Sequence, residues 1–318
     1  MTVIAKIPYK DGLLLVSDSK VSNGRFPYRQ KIILNSSDVV SVNEGSVDLS
    51  EGLRAILSND AAEIKSEEFE KVTSDINALL KKNPGLNDFL VQNGFGGIIF
   101  GAVSDNSGTP SQFIVDVQPA MGVVAAGRVE KNVCWADGID GSQRILDSLV
   151  YGLKYDSSKS SELEAEVIGY ILLKRQEANP VFGKYVSDPL EMCAISKGSK
   201  HAFWVDNEIN GKDVTTEREK WDYIDESFKA DKKREAVIKS IAGIVSIYPE
   251  KLGLLAGMAE THGKEFNALV EISKVNKHEF EMLTEMAEKN MAKALSVIQE
   301  LYTKNASTRT SKSKEMQH

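Results

Sequence analysis

The chain opens on two apolar runs around a polar turn. Val3 to Pro8 and Gly12 to Ser17 carry few charges, and Lys10-Asp11-Gly12 stands between them. Apolar runs of this length around a glycine-containing turn predict a β-hairpin. Strand-like patterns cover 3–8, 12–18, 31–35 and 38–43. A helical pattern starts at Asp48 and runs through Leu53, Ile56 and Leu57. A second spans 67–82 and stops at Asn83-Pro84-Gly85. Strands are predicted again at 97–104, 112–118 and 122–127. Two helices follow, at 142–154 and 161–178, separated by a Ser/Lys-rich loop and ended by Asn179-Pro180. Strands at 190–196 and 201–206 close this first region. Strands, two helices, strands, two helices and strands predict an α+β fold, a four-layer αββα sandwich of two stacked antiparallel sheets flanked by helices.

The pattern changes after residue 206. Residues 207–235 are rich in charge, above all from Glu217 to Glu235, and read as a charged linker or an exposed helix. From 236 to 303 the apolar period is helical throughout, which predicts a C-terminal all-helical extension. Val237, Ile238, Ile241, Ile244, Val245 and Tyr248 share one helical face, stopped by Pro249. Phe280, Leu283, Ala287, Met291, Ala294, Ile298 and Leu301 recur in steps of three and four, a near-heptad seam. Such a stripe packs on neighbouring helices, forms a subunit contact or, being Met-rich, takes a variable partner. The Ser/Thr/Lys-rich stretch 304–318 reads as a disordered tail. The domains are thus expected at 1–206 and 236–303.

Composition narrows the classes. The chain has 318 residues, a net charge of −7 and 42% hydrophobic residues, which suits one large or two modest globular domains. No run approaches the roughly 20 apolar residues of a membrane helix. The acidic balance speaks against nucleic acid. No basic segment followed by an apolar run opens the chain, so no signal peptide is expected. Cys134 and Cys193 lie in apolar contexts and read as reduced core residues of a cytoplasmic protein. Of four histidines only His201 lies in the first 206 residues, on a predicted strand where it reads as an edge or surface residue. A Ser-His-Asp or Cys-His mechanism would have to use it. No Cys/His cluster has metal-ligand spacing, so neither metal nor cofactor is expected. Gly94-Phe-Gly-Gly97 leads into a strand and makes a poor phosphate loop. With no Walker motif, ATP-driven unfolding would need a separate ATPase partner.

The chemistry is concentrated near the start. Removal of Met1 would leave Thr2 with a hydroxyl and a free α-amine on one residue. A threonine hydroxyl is a weak nucleophile until a base takes its proton. An α-amine, with a pKa of about 7.7–8.0, is partly neutral near pH 7 and can take it. An ammonium such as Lys31 would favour the neutral amine and the developing alkoxide, and Asp18 would hold that ammonium in place. The backbone N–H of Gly45, at the end of a predicted strand, can serve as an oxyanion donor.

These residues resemble the proteasome β-subunit family of N-terminal-nucleophile hydrolases, which includes the bacterial heat-shock-locus peptidase. The resemblance rests on Thr2, the Lys10-Asp11-Gly12 turn, Val16-Ser-Asp18-Ser-Lys20, Lys31-Ile-Ile33 and Asn43-Glu44-Gly45. It extends over residues 2–206. It implies catalysis by Thr2, Asp18, Lys31 and Gly45, with Asn43 flooring and Val21 lining the first specificity pocket. Ser142 and Ser187 fall where the family has supporting serines. Departures occur nearby: Asp140-Gly141-Ser142 replaces Ser-Gly-Ser, Lys184 replaces an Asp, and Ser46 replaces a second glycine. The resemblance implies a homo-oligomer, a ring or related multimer, that encloses its sites and cleaves a peptide or protein substrate. Other readings are an acylase of a small amide and a catalytically silent structural subunit or scaffold acting through its C-terminal helices.

Overall fold

The opening hairpin lies at the centre of the first sheet. In the computed structural model, β1 (Ile4–Tyr9) and β2 (Gly12–Asp18) are joined by a two-residue turn, with Tyr9 opposite Gly12. Glycine is needed at position 12, because a Cβ there would meet the Ile195 carbonyl oxygen at 2.2 Å. Next come β3 (Ile32–Leu34), β4 (Val39–Gly45), β5 (Gly97–Val103), β6 (Ser111–Gln118), β7 (Val123–Arg128) and β8 (Trp135–Asp137). Helices α1 (Ser142–Gly152) and α2 (Glu162–Glu177) lead to β9 (Leu190–Ser196) and β10 (Ser199–Val205). Short strands β11 (Glu208–Ile209), β12 (Lys212–Asp213) and β13 (Lys229–Ala230) follow. The structure describes residues 2–20, 27–34, 39–45, 97–103, 111–118, 123–128, 132–186, 188–196, 199–209, 211–213, 216–221, 224–225 and 228–301, with isolated helical positions between 74 and 88. The predicted helix from Asp48 and the tail at 304–318 lie outside these residues. Helical placement at Pro84, Gly85 and Asp88 passes the stop expected at Asn83-Pro84-Gly85.

Two sheets carry the first unit. One has six strands in the order β13-β10-β9-β2-β1-β8, and the other five in the order β3-β4-β5-β6-β7. Every pairing is antiparallel except β10 with β13, so the first sheet is mixed where an antiparallel one was expected. Their inner faces share one core. Ile4, Leu13, Leu15, Cys193, Ile195 and Trp204 of the first sheet cluster with Ile32, Val40 and Val42 of the second. Strand alternation turns Leu14 and Val16 to the opposite face, where α2 packs. There Gly169 comes so close that a Cβ would meet Val16 Cγ1 at 2.7 Å. A helix, a sheet and a second sheet are thus stacked among the described residues.

The ends of α2 are written in its sequence. Ser161 caps it, accepting from the Glu164 N–H while the Glu164 carboxylate accepts from the Ser161 N–H. Glu162 and Glu164 lie in the first turn, and Lys174 and Arg175 in the last, as the helix dipole favours. Asn179-Pro180 then stops it.

The segment expected as a charged linker behaves differently. Trp221 and Phe228 are buried in the shared core, with the Trp204 and Trp221 ring centroids 6.2 Å apart. The chain divides into two compact units, Met1–Tyr151 with Tyr155–Glu235, and Gly152–Lys154 with Ala236–His318. Residues 207–235 therefore belong to the first unit. Two aromatic anchors outweigh the charge of their neighbours.

The second unit is helical and repetitive. It takes in most of α3 (Lys232–Val245), then α4 (Leu252–Thr261), α5 (Gly263–Val275), α6 (Lys277–Lys289) and a helical stretch at 291–301. Ile238, Leu252, Phe266, Phe280 and Ala294 follow one another at steps of 14 residues, and all are buried. Ile241, Leu255, Leu269 and Leu283 repeat the step three residues later, and Ala242, Ala256, Val270, Thr284 and Ile298 four residues later, again buried. His262, Asn276 and Asn290 mark the joints. Asn276 and Asn290 both cap by accepting from the N–H three residues on. The near-heptad seam is therefore not one helix. Fourteen is twice seven, so the same spacing arises from short helices stacked in series. Among the described residues no helix is long and apolar enough to cross a membrane.

Candidate active site

Thr2 stands two residues before the start of β1 and is buried. The end of β2 lies beside it. Asp18, fully buried, accepts from the Val3 N–H through Oδ1 at 2.8 Å and from the Lys20 N–H through Oδ2 at 3.1 Å. Its Oδ2 also stands 3.0 Å from Lys31 Nζ. One carboxylate thus links the residue after Thr2 to the ammonium of Lys31. The Lys31 Nζ is buried, so this ion pair is held away from solvent. Sequence reasoning paired these two residues, and the structure brings them together.

What holds Lys31 was not foreseen. Glu191, on β9, is fully buried and accepts from the backbone N–H of Lys31 at 2.9 Å and of Ile32 at 2.7 Å. Ser19 Oγ lies 2.8 Å from its other oxygen and donates to the Pro189 carbonyl at the same distance. Burial pushes the Glu191 carboxyl up to about 8, against the pull of those N–H donors and of Lys31. Since β9 belongs to the six-stranded sheet and β3 to the five-stranded one, this side chain ties the two sheets together at Lys31 and Ile32. The only sequence signal was one acid inside the apolar run Leu190-Glu-Met-Cys-Ala-Ile195. The former linker adds a second support: the Asp225 N–H donates to Gln30 Oε1 at 2.6 Å, and Tyr28 packs on Trp221 with ring centroids 5.7 Å apart.

The remaining predicted residues fall as follows. Gly45 ends β4, opposite Gly97 on β5, and Asn43 stands opposite Ile99. Val21 and Ser187 lie outside the described residues. Ser142 opens α1, is buried, donates to the Ile139 carbonyl at 2.7 Å and accepts from Gln176 Nε2 at 2.9 Å. Its hydroxyl braces α1 against α2. Asp140 is exposed and 3.8 Å from Arg144, and Lys184 lies over the Tyr185 ring. The strand before this loop, β8, reaches Ile4, two residues from Thr2. Both cysteines are free thiols. Burial pushes Cys134 up to about 11 and Cys193 to about 12, which makes both poor nucleophiles.

No family model matches the chain, and no curated protein does. Solved structures do. A chain from the helical assembly of the Anbu complex of Pseudomonas aeruginosa superposes with a TM-score of 0.54 at 11% identity, covering 78% of this chain and 96% of that one. Anbu (ancestral beta-subunit) from Yersinia bercovieri gives a TM-score of 0.46 at 12% identity, covering 63% and 86%. The assignment to the proteasome β-subunit family with its heat-shock-locus peptidase is corrected by this likeness, because Anbu is a proteasome-like but distinct family. The chain has an α+β proteasome-like fold, the fold of the Pseudomonas aeruginosa Anbu chain.

Proposed function

We propose that this chain is the subunit of a proteasome-like homo-oligomer and acts first as a structural, assembly-forming element. One observation carries this reading: the fold likeness is to a chain of a helical assembly and spans nearly all of that chain. Light scattering of the purified full chain tests it. A mass of several subunits is expected, and a monomer across the micromolar range would overturn it. Two unpaired cysteines support placing the protein in the reducing cytoplasm.

A second reading is favoured by a different observation, the Asp18 bridge between Val3 and Lys31. It makes the subunit a threonine-type amide hydrolase of peptides. Hydrolysis of the Met1–Thr2 bond would free the Thr2 amine. That amine would take the proton from Thr2 Oγ1 as the oxygen attacks the substrate carbonyl. The amine would then pass the proton to the departing nitrogen as the C–N bond breaks, leaving an ester on Thr2. Water would hydrolyse the ester and restore the hydroxyl. Lys31 would favour the neutral amine, and the Gly45 N–H would face the oxyanion. The measurement pairs intact mass with turnover of fluorogenic peptides. Turnover by Met-processed protein that Thr2→Ala loses is the expected result. Full turnover in protein shown to retain Met1 sinks the mechanism. Turnover of small amides without peptides would instead indicate an acylase.

A further inference from the structure

Away from Thr2, three potential ligands converge on one side of the first unit. Glu162 and Glu166 stand one turn apart at the start of α2, and His201 is on β10. One carboxylate oxygen of each Glu and a ring nitrogen of His201 all lie within 4.8 Å of one another, the only such group of His, Cys, Asp and Glu among the described residues. We propose that Glu162, Glu166 and His201 form a binding site for one divalent transition-metal ion of the zinc type.

Four observations support it. Glu166 is fully buried, and while its Oε2 accepts from Arg234 Nε at 2.6 Å, its Oε1 is buried without a hydrogen-bond partner. An ionised oxygen in that condition is costly unless a cation or donor reaches it. The imidazole is oriented as metal-ligating histidines are. Nδ1 is 3.7 Å from Glu162 Oε1, on the ligand side, while Nε2 is 3.7 Å from Asp231 Oδ2, which can hold the ring as an outer carboxylate. Stacking on Phe203, with centroids 4.7 Å apart, fixes the ring plane. Charge also fits: three carboxyl groups, those of Glu162, Glu166 and Asp231, gather there against one guanidinium, Arg234.

Two carboxylates and one imidazole suit Zn2+, with a fourth position open. Ligand atoms about 2.0–2.2 Å from a tetrahedral ion stand about 3.5 Å apart, so the group must draw in by roughly 1 Å. The half-exposed His201 side chain supplies that freedom. Arg234 can remain on Glu166 Oε2 while Oε1 ligates. The ion would tie the start of α2 to β10.

The test is isothermal titration of the full chain with Zn2+ alone, beside a thermal melt. One ion per chain and a raised melting temperature are expected. His201→Ala, at a half-exposed position, should weaken binding at least tenfold, Glu162→Gln likewise, and Asp231→Asn by about tenfold. His278→Ala, on α6, should change nothing. The proposal is overturned if the wild type takes up no stoichiometric Zn2+, or if His201→Ala and Glu162→Gln bind it as tightly as the wild type.

Discussion

Asp18 divides its two oxygens between the backbone beside Thr2 and the ammonium of Lys31. If the hydrolase reading holds, each side of that bridge has its own consequence. Lys31→Met removes the charge and keeps the stem, so turnover of a fluorogenic peptide should fall at least about 100-fold, the usual scale for losing a proton-transfer element. Asp18→Asn should do the same and also lower stability, because an amide cannot accept at both oxygens as the carboxylate does. Equal turnover in wild type and Lys31→Met would remove the lysine from the mechanism. Glu191 makes a different prediction. Its folded value of about 8 stands above its ordinary 4.5, so the folded state keeps a proton that the unfolded chain releases. The stability due to that proton is fully present below pH 4.5 and is lost as pH rises through about 8, at up to about 1.4 kcal/mol per pH unit. Glu191→Gln mimics the protonated acid, accepting from Lys31 and Ile32 and donating to Ser19. Urea denaturation at several pH values should show a flatter profile between pH 5 and 8 for the variant. An unchanged slope would mean that Glu191 is ionised throughout. Asp18 and Lys31 were legible in the sequence through a resemblance, in which an acid after the second strand and a lysine before an apolar run accompany an N-terminal threonine. Glu191 was not, because a single acid in an apolar strand gives no hint of which backbone it will meet.

At the scale of elements, legibility followed length and periodicity. Strands of six to eight residues and the two helices of the first unit lie within about two residues of their expected bounds, since each has enough apolar positions to declare a period. The strands that were missed, β8 and β11 to β13, are two or three residues long, and β13 is the dipeptide Lys229–Ala230, held by its parallel register against Phe203 and Trp204. Nothing local specifies such pairs. The expected sandwich put helices on the sheets, but did not show the residue that sets how closely α2 packs on the first one. Gly169 faces Val16, Leu14 and Ile7, and an added Cβ would sit 2.7 Å from a methyl of fully buried Val16. Gly169→Ala gains helix propensity yet forces the helix off the sheet, so it should destabilise the protein by about 1–3 kcal/mol. A urea midpoint raised by this substitution would show that the sheet yields and propensity decides.

At the scale of the molecule, the division into units follows anchors and repeats, not charge. The acidic and basic residues of 217–235 suggested a detachable linker, but Phe228, β13 and the Arg234–Glu166 pair belong to the first unit. A chain ending at Asp225 would lose all three. One ending at Glu235 would keep them. The longer fragment should unfold cooperatively, and the shorter should be less stable by about 3 kcal/mol or more, the scale of a lost core phenylalanine alone. Matching urea midpoints would return 226–235 to the role of a linker. The second unit should respond in another way. Its 14-residue steps put corresponding positions of successive helices into the core, so each helix is stabilised chiefly by its neighbours in the series. Such an array loses stability one helix at a time. Ending the full chain after Asn290 removes the buried Ala294 and Ile298 with the last helical stretch. Ending it after Asn276 removes α6 as well. Helical ellipticity at 222 nm should therefore fall in two steps across these truncations, with α4 and α5 still folded in the shorter chain. A complete loss of the helical signal on the first truncation would show that the five steps fold as one indivisible bundle.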